Sequence, residues 1–405
     1  MKRGALDVHV GNTRTGVLTR SAVRDAEFLF DYMTGTPAGA AVSLTMPIVP
    51  DQYDSMNTVH PAFEMSLPEG ALRERLQRAF GKAVPNFDDL DLLGIVGGSQ
   101  IGRLRYTDSG GALPAIPAQS IAELLTYRGT ADLMEDLLKR FATSSGVSGM
   151  QPKVLVRDAD ALPRLTHRDT THIVKTFDPR AYPELAANEF FCMRAAKSCG
   201  LPVPRVQLSA NRQVLVVERF DLGPNGGYLG FEDFCVLNAM RAAGRYDSSY
   251  EMIARRITQY VSGDQLAQAL EQFFMMVALS CAIGNGDAHL KNFGLLYSDP
   301  EASVWLAPAF DMVSTRVYMP RDSMALNLQE SKGFPTQAAL LKFAQLACQL
   351  SLRRARALLE NVLDAVSRTR QEIRRFARTR PDFAGTAQAL LSVFDQQATL
   401  LRDAK

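Results

Sequence analysis

Asp287 and Asn292 stand five residues apart in Gly284-Asn285-Gly286-Asp287-Ala288-His289-Leu290-Lys291-Asn292-Phe293-Gly294. A carboxylate at the first position can orient a hydroxyl for attack on a phosphoryl group, and an amide at the second can ligate Mg2+. A polar turn built from Gly, Asn and Asp is the plainer reading, but His289 and Lys291 add groups that a turn does not need. Nineteen residues beyond Asn292, the run Ala307-Pro308-Ala309-Phe310-Asp311 brings a second carboxylate after a short apolar stretch. Mg2+ takes one or two carboxylates with phosphate oxygens and water, so Asn292 and Asp311 suffice as protein ligands. Upstream, Ser148-Gly149-Met150-Gln151-Pro152-Lys153 leads into a β-branched run. Small residues let successive N–H groups close on an anion, with Lys153 as counter-charge. The Gly-Lys-Ser/Thr ending of a Walker A loop is missing, and a Ser/Gly linker has the same composition. Lys175 ends Thr171-His172-Ile173-Val174-Lys175 and precedes a helix carrying Glu184 and Glu189, the layout of a phosphate-gripping lysine with an orienting carboxylate. Glu218-Arg219-Phe220 closes a strand just before the helical half, where backbone groups can meet a purine base.

These groups need a scaffold, and the chain of 405 residues, 46% apolar and 22% charged, is long enough for two or three domains. Global disorder is excluded by that apolar share. A net charge of +2 excludes wholesale coating of nucleic acid and leaves room for a local basic patch. Cys192, Cys199, Cys235, Cys281 and Cys348 are odd in number, widely spaced and without a Cys-x-x-Cys pair, so they read as small buried hydrophobes in a reducing compartment. The N-terminus has basic residues but no apolar segment behind them, and Phe273 to Ile283 falls short of the roughly 20 residues a membrane span needs. A soluble, cytoplasmic protein without membrane contact is expected.

Alternation predicts a strand pair over 5–20, short strands at 41–44 and 93–96, and a helix over 69–80 with Leu72, Leu76 and Phe80 on one face. Residues 1–108 thus form a small mixed unit, and Asp108-Ser109-Gly110-Gly111 with Pro114 and Pro117 marks a boundary. Residues 109–225 are strand-rich, with β-branched runs at 154–156, 171–175 and 214–218 and one helix over 184–198. Residues 226–405 are helical, roughly over 231–244, 248–262, 264–283, 336–350, 351–376 and 384–402, around a loop-rich stretch at 284–334. A strand-rich lobe followed by a helical lobe predicts a ligand cleft. His9, His60, His167 and His172 lack metal-ligand spacing. The arginines between 353 and 380 read as a solvated helix face, with phosphate or acidic-partner contact as the alternative.

The Asp-x-x-x-x-Asn spacing is that of protein kinases, and the ordered set of motifs resembles the HipA family of bacterial serine/threonine kinases, the toxin halves of HipA–HipB toxin–antitoxin modules. The resemblance rests on His60-Pro61-Ala62-Phe63-Glu64-Met65-Ser66-Leu67-Pro68-Glu69-Gly70, on Ser148 to Lys153, on Tyr182 to Met193, on Phe231-Glu232-Asp233-Phe234-Cys235, on Gly286 to Phe293 and on Ala309-Phe310-Asp311. It implies an α+β fold, protein-kinase-like and bilobal, with an extra N-terminal α/β subdomain and an all-helical C-terminal lobe. ATP and Mg2+ are the implied cofactors. Asp287 would be the catalytic aspartate, with His289 and Asn292 in the nucleotide and metal site and Asp311 as second Mg2+ ligand. Lys175 would hold the α/β-phosphates, Ser148, Gly149, Met150, Gln151, Pro152 and Lys153 would cover them, and Glu218, Arg219 and Phe220 would form the hinge to adenine. Glu189 is favoured over Glu184 as partner of the lysine. Family members phosphorylate a serine in or before the phosphate loop; here the candidates are Ser148, Ser145 and Ser144. The implied partners are a HipB-like helix-turn-helix antitoxin, DNA only through that complex, and a protein substrate such as an aminoacyl-tRNA synthetase. A small-molecule kinase and a catalytically silent regulator are the rival readings.

Overall fold

Leu6 and Val8 alternate with polar neighbours, and Gly11, in the left-handed region at φ 59°, turns the chain back on itself. In the computed structural model, which describes residues 3–113, 116–127, 133–149, 151–160, 170–223 and 226–402 (for Met134 the backbone only), this gives β1 (Ala5–Val10) and β2 (Thr13–Arg20) as an antiparallel pair. With β3 (Glu27–Tyr32), β4 (Tyr53–Met56) and β5 (Leu104–Asp108) they form a sheet of order β4-β3-β2-β1-β5. The chain divides into two compact units, residues 1–177, 209–242 and 296–303 against 178–208, 243–295 and 304–405.

The first unit holds a second sheet, in which β6 (Ala118–Gln119), β7 (Lys153–Asp158), β8 (His172–Thr176) and β10 (Val214–Glu218) lie in that order. Its helices are α1 (Pro61–Glu64), α2 (Gly70–Phe80), α3 (Asp89–Val96), α4 (Ile121–Thr126), α5 (Leu133–Phe141) and α7 (Phe234–Leu237). One apolar cluster draws on both sheets, from Leu6, Val8, Phe28, Phe30 and Phe63 to Val154, Val156, Val174, Val214 and Val216.

Three local expectations fail, each for a physical reason. Residues 93–96 are the last turn of α3, because Asp88 accepts from the N–H groups of Leu90 and Asp91 while Asp91 reaches back to the N–H of Asp88. Arg20 clamps both carboxylates. Residues 41–44 form no strand, since the Val42 N–H donates to the Tyr32 hydroxyl and the Leu44 N–H to the Glu232 carboxylate. The helix expected over 231–244 is instead a strand, Gly230–Asp233, then the single-turn α7 capped by Asp233, and a short turn at Ala242–Gly244.

The second unit contains α6 (Leu185–Ser198), β9 (Val206–Leu208), α8 (Tyr250–Tyr260), α9 (Gly263–Ile283), α10 (Gln337–Leu346), α11 (Leu352–Arg378) and α12 (Ala384–Leu400). By length and composition α9 could cross a membrane, but 72% of its most apolar window is buried in the protein, which makes it a core helix. Phe191, Phe376 and Phe383 interlock with ring centroids 5.2–5.9 Å apart, fastening α6 to the C-terminal end of α11. Several α11 arginines have structural partners: Arg354 with Glu271, Arg368 with Ser198, Arg370 with Asp395. All five cysteines are buried and none is in a disulfide, and burial pushes the Cys199 thiol up to about 11.

Candidate active site

In the second unit the loop bearing Asp287 starts where α9 ends. Gly284 adopts φ 65° there, its N–H returning to Cys281 and that of Asn285 to Ser280. A side chain at 284 would meet Val393 Cγ1 at 2.7 Å, so the turn is pinned between helices. Asn285 is buried and accepts from the Asp287 N–H at 3.0 Å. The Gly286 N–H donates to Thr315 Oγ1 at 2.8 Å, and that hydroxyl donates to Asp322 Oδ2 at 2.5 Å. Further on, Tyr250 donates to the Ala288 carbonyl at 3.0 Å and the buried Leu290 donates its N–H to Arg245 O. Phe293 closes the loop against Phe273 and Tyr250.

Held in this way, the Asp287 side chain remains half exposed. Its Oδ1 accepts from the Tyr246 hydroxyl at 2.8 Å and lies 4.0 Å from His289 Nε2. His289 and Asn292 brace each other across the turn Leu290–Asn292: His289 Nδ1 accepts from the Lys291 N–H, and Asn292 Oδ1 accepts from the His289 N–H at 3.2 Å. Nδ1 being an acceptor, the neutral ring carries its proton on Nε2, toward Asp287.

Asp311 has φ 53°, a left-handed conformation that Asp tolerates better than most residues and that marks a strained position. The chain around it is fastened on both sides. Ala309 N–H donates to Pro202 O at 2.8 Å, and the buried Asn188 amide pairs with both backbone groups of Ser314 at 2.9 Å. On the same helix Glu189 is buried, whereas Glu184 precedes the helix at φ 57° and is partly exposed. Among the described residues no three His, Cys, Asp or Glu side chains gather as a metal cage. An amide and a carboxylate nevertheless fit Mg2+ in kind, since that ion takes the rest of its shell from phosphate and water. The Asn292 amide oxygen, with one N–H already bound, keeps a second lone pair.

In the first unit, β7 and β8 run antiparallel with Lys153 directly opposite Lys175. Both are buried, so the register sets two lysine side chains side by side at one end of the sheet. Gly149 has φ 122°, a conformation that favours glycine, and its Cα lies close against the Lys153 ammonium, so the preceding loop folds over that group. Ser148 donates to Glu69 Oε1 at 2.9 Å. Ser145, fully buried, bridges Phe141 O and the Leu155 N–H, and Ser144 bonds Phe141 O. Gln151 and Pro152 are partly exposed, and the Pro152 carbonyl accepts from the Thr176 N–H. Met150 and His167 lie outside the described residues.

Glu218 ends β10 opposite His172. The Arg219 guanidinium is buried among Asp221, Thr170 and Gln100 O and stacks 4.3 Å from the Tyr228 ring, so it builds the protein. Phe220 packs edge-on against Phe231. Sequence reasoning missed Tyr246, Thr315 and Asp322 as supports of the Asp287 loop and Asn188 as support of the Asp311 segment; each acts through a contact distant in sequence, for which no local spacing is a signal.

The HipA N-terminal domain family matches residues 6–107, and the HipA-like C-terminal domain family matches residues 145–370, more than half of the chain. Two Sinorhizobium fredii proteins are similar. One, named "Putative kinase Y4dM", is 32% identical over 207 residues, 47% of this chain and 48% of that protein, so the match spans about half the relative's length. The other, named "Putative kinase Y4mE", is 29% identical over 352 residues, 78% of this chain and 80% of that protein. Among solved structures, the Shewanella oneidensis toxin–antitoxin complex of HipA, HipB and operator DNA matches with a TM-score of 0.66 at 18% identity, covering 99% of this chain and 100% of that one. The fold is therefore α+β and kinase-like.

Proposed function

We propose, because the chain belongs to the HipA family, that it is an ATP- and Mg2+-dependent protein serine/threonine kinase acting as the toxin of a toxin–antitoxin pair. The observation that carries this reading is the braced loop that presents the half-exposed Asp287 carboxylate with a hydroxyl donating to it. In the reaction an acceptor hydroxyl takes such a position. Asp287 orients it and receives its proton as the acceptor oxygen bonds to the γ-phosphorus and the bond to the β-phosphate oxygen breaks. Lys175 and Lys153 neutralise phosphate charge, the loop from Ser148 covers it, and His289 keeps the Asp287 loop in register. Asn292 and Asp311 would hold Mg2+, which supplies charge neutralisation between phosphate oxygens. The backbone of Glu218 to Phe220 receives adenine.

The partner in this reading is a HipB-like antitoxin, with DNA reached only through it, and the setting is the cytoplasm. The complex described for the Shewanella oneidensis protein supports the antitoxin. The substrate is a protein of translation such as an aminoacyl-tRNA synthetase. Of the three serines, Ser148 is the favoured site of self-modification, because Ser144 and Ser145 are buried with their hydroxyls bonded inside the fold. ADP release from Mg-ATP tests the assignment: Asp287→Ala should slow it by about 10²-fold or more, and an unchanged rate would remove Asp287 from the chemistry.

A further inference from the structure

The hydroxyl bonded to Asp287 belongs to the protein itself. Tyr246 Oη donates to Asp287 Oδ1 at 2.8 Å, the contact an acceptor hydroxyl needs before transfer. The phenol does not stand there through loose rotation of an exposed side chain. Its ring lies edge-on to His289 with centroids 5.0 Å apart and planes at 76°. Its backbone is tied down as well: Lys332 Nζ donates to the Tyr246 carbonyl at 3.1 Å, and the adjacent Arg245 carbonyl receives the Leu290 N–H from the loop that carries Asp287. Segment and loop are therefore tied to each other, with the phenol aimed at the carboxylate. At 40% exposure the ring still borders solvent, so rotation about its own side-chain bonds can open the contact without unfolding anything.

We propose that Tyr246 is the gate of the acceptor site, occupying the hydrogen-bonding position on Asp287 until an incoming serine or threonine hydroxyl displaces it. This rests on the reading of Asp287 as the catalytic aspartate. While the phenol is in place, water is denied the same position, so the gate suppresses futile hydrolysis of ATP. A protein acceptor whose hydroxyl takes the same position on Oδ1 gains its contact by breaking that of Tyr246, which makes the residue a determinant of acceptor affinity.

The test is steady-state ADP release from Mg-ATP with no other protein added, measured after the single transfer to Ser148 is complete, so that water is the nucleophile that remains. Wild type, Tyr246→Phe, Asp287→Ala and the double variant would be compared at saturating ATP, with melting curves to verify the fold. Phenylalanine keeps the edge contact with His289 and removes only the hydroxyl. The expected result is a kcat raised about three- to tenfold in Tyr246→Phe, the size of one moderate hydrogen bond, with KM for ATP unchanged and the gain abolished in the double variant. A folded Tyr246→Phe with unchanged or slower turnover overturns the gate and leaves the assignment of Asp287 standing. Turnover in wild type that survives Asp287→Ala overturns that assignment and the gate together, whereas turnover in none of the four proteins overturns the gate alone, since removing the phenol would then admit no water.

Discussion

Gly286→Ala is the sharpest probe of how the Asp287 loop is held. A methyl group at 286 would fall within contact distance of the Asp322 carboxylate and 2.5 Å from the Ser323 carbonyl oxygen. The carboxylate could swing away only by leaving the Thr315 hydroxyl, which in turn receives the Gly286 N–H. The carbonyl is main chain and cannot swing. Forced overpacking of this kind costs about 1–3 kcal/mol, and relief by moving the loop displaces Asp287, the next residue. A misplacement of about 1 Å at a reacting group can cost roughly 10²-fold in rate. The control is Gly385→Ala in the first turn of α12, where an added Cβ meets nothing within 4 Å and stability should be unchanged or slightly raised. Urea denaturation and ADP release, measured on both variants, check the pair. A Gly286→Ala protein with wild-type stability and rate would refute the argument, since the Gly286–Thr315–Asp322 chain would then hold nothing in place.

Two further outcomes follow from the first unit. His60 caps α1 by accepting the Ala62 N–H on Nδ1, and burial lowers its pKa from 6.5 to about 4. A lowered folded-state value means that the stabilisation is present above pH 6.5 and is lost as the pH falls toward 4, up to about 3 kcal/mol in the limit; in His60→Asn, which keeps a capping acceptor, that part of the acid sensitivity should vanish from pH-dependent urea curves, and its persistence would contradict the assignment. Glu69→Ala should loosen the loop held through Ser148 and raise the KM for ATP about three- to tenfold, with Glu69→Gln intermediate; identical KM values in all three proteins would show that the bond does not position the loop.

The bonding of the Asp287 loop was legible where it is local. Asp287, His289 and Asn292 sit within six residues, and their mutual bonds in the structure follow that spacing. The β-branched run at 214–218 became a strand with those bounds, because its propensity and burial agree. What escaped the sequence depends on partners far along the chain. The segment 41–44 is claimed by Tyr32 and Glu232, and α3 is set by Arg20 some 70 residues away. Lys153 and Lys175 are two separate lysines in the sequence; only the β7–β8 register makes them neighbours. Thr315, Asp322 and Tyr246 carry no motif of their own, and their roles arise from contacts with residues 286 and 287.

The central claim is that Asp287 directs transfer of the ATP γ-phosphoryl group to a serine hydroxyl. Its most direct test is peptide mass spectrometry of wild-type and Asp287→Ala protein after incubation with Mg-ATP. A phosphate on Ser148 in wild type alone is the predicted result. Equal phosphate on both proteins would contradict the claim, because the group would then arrive without the carboxylate said to direct it.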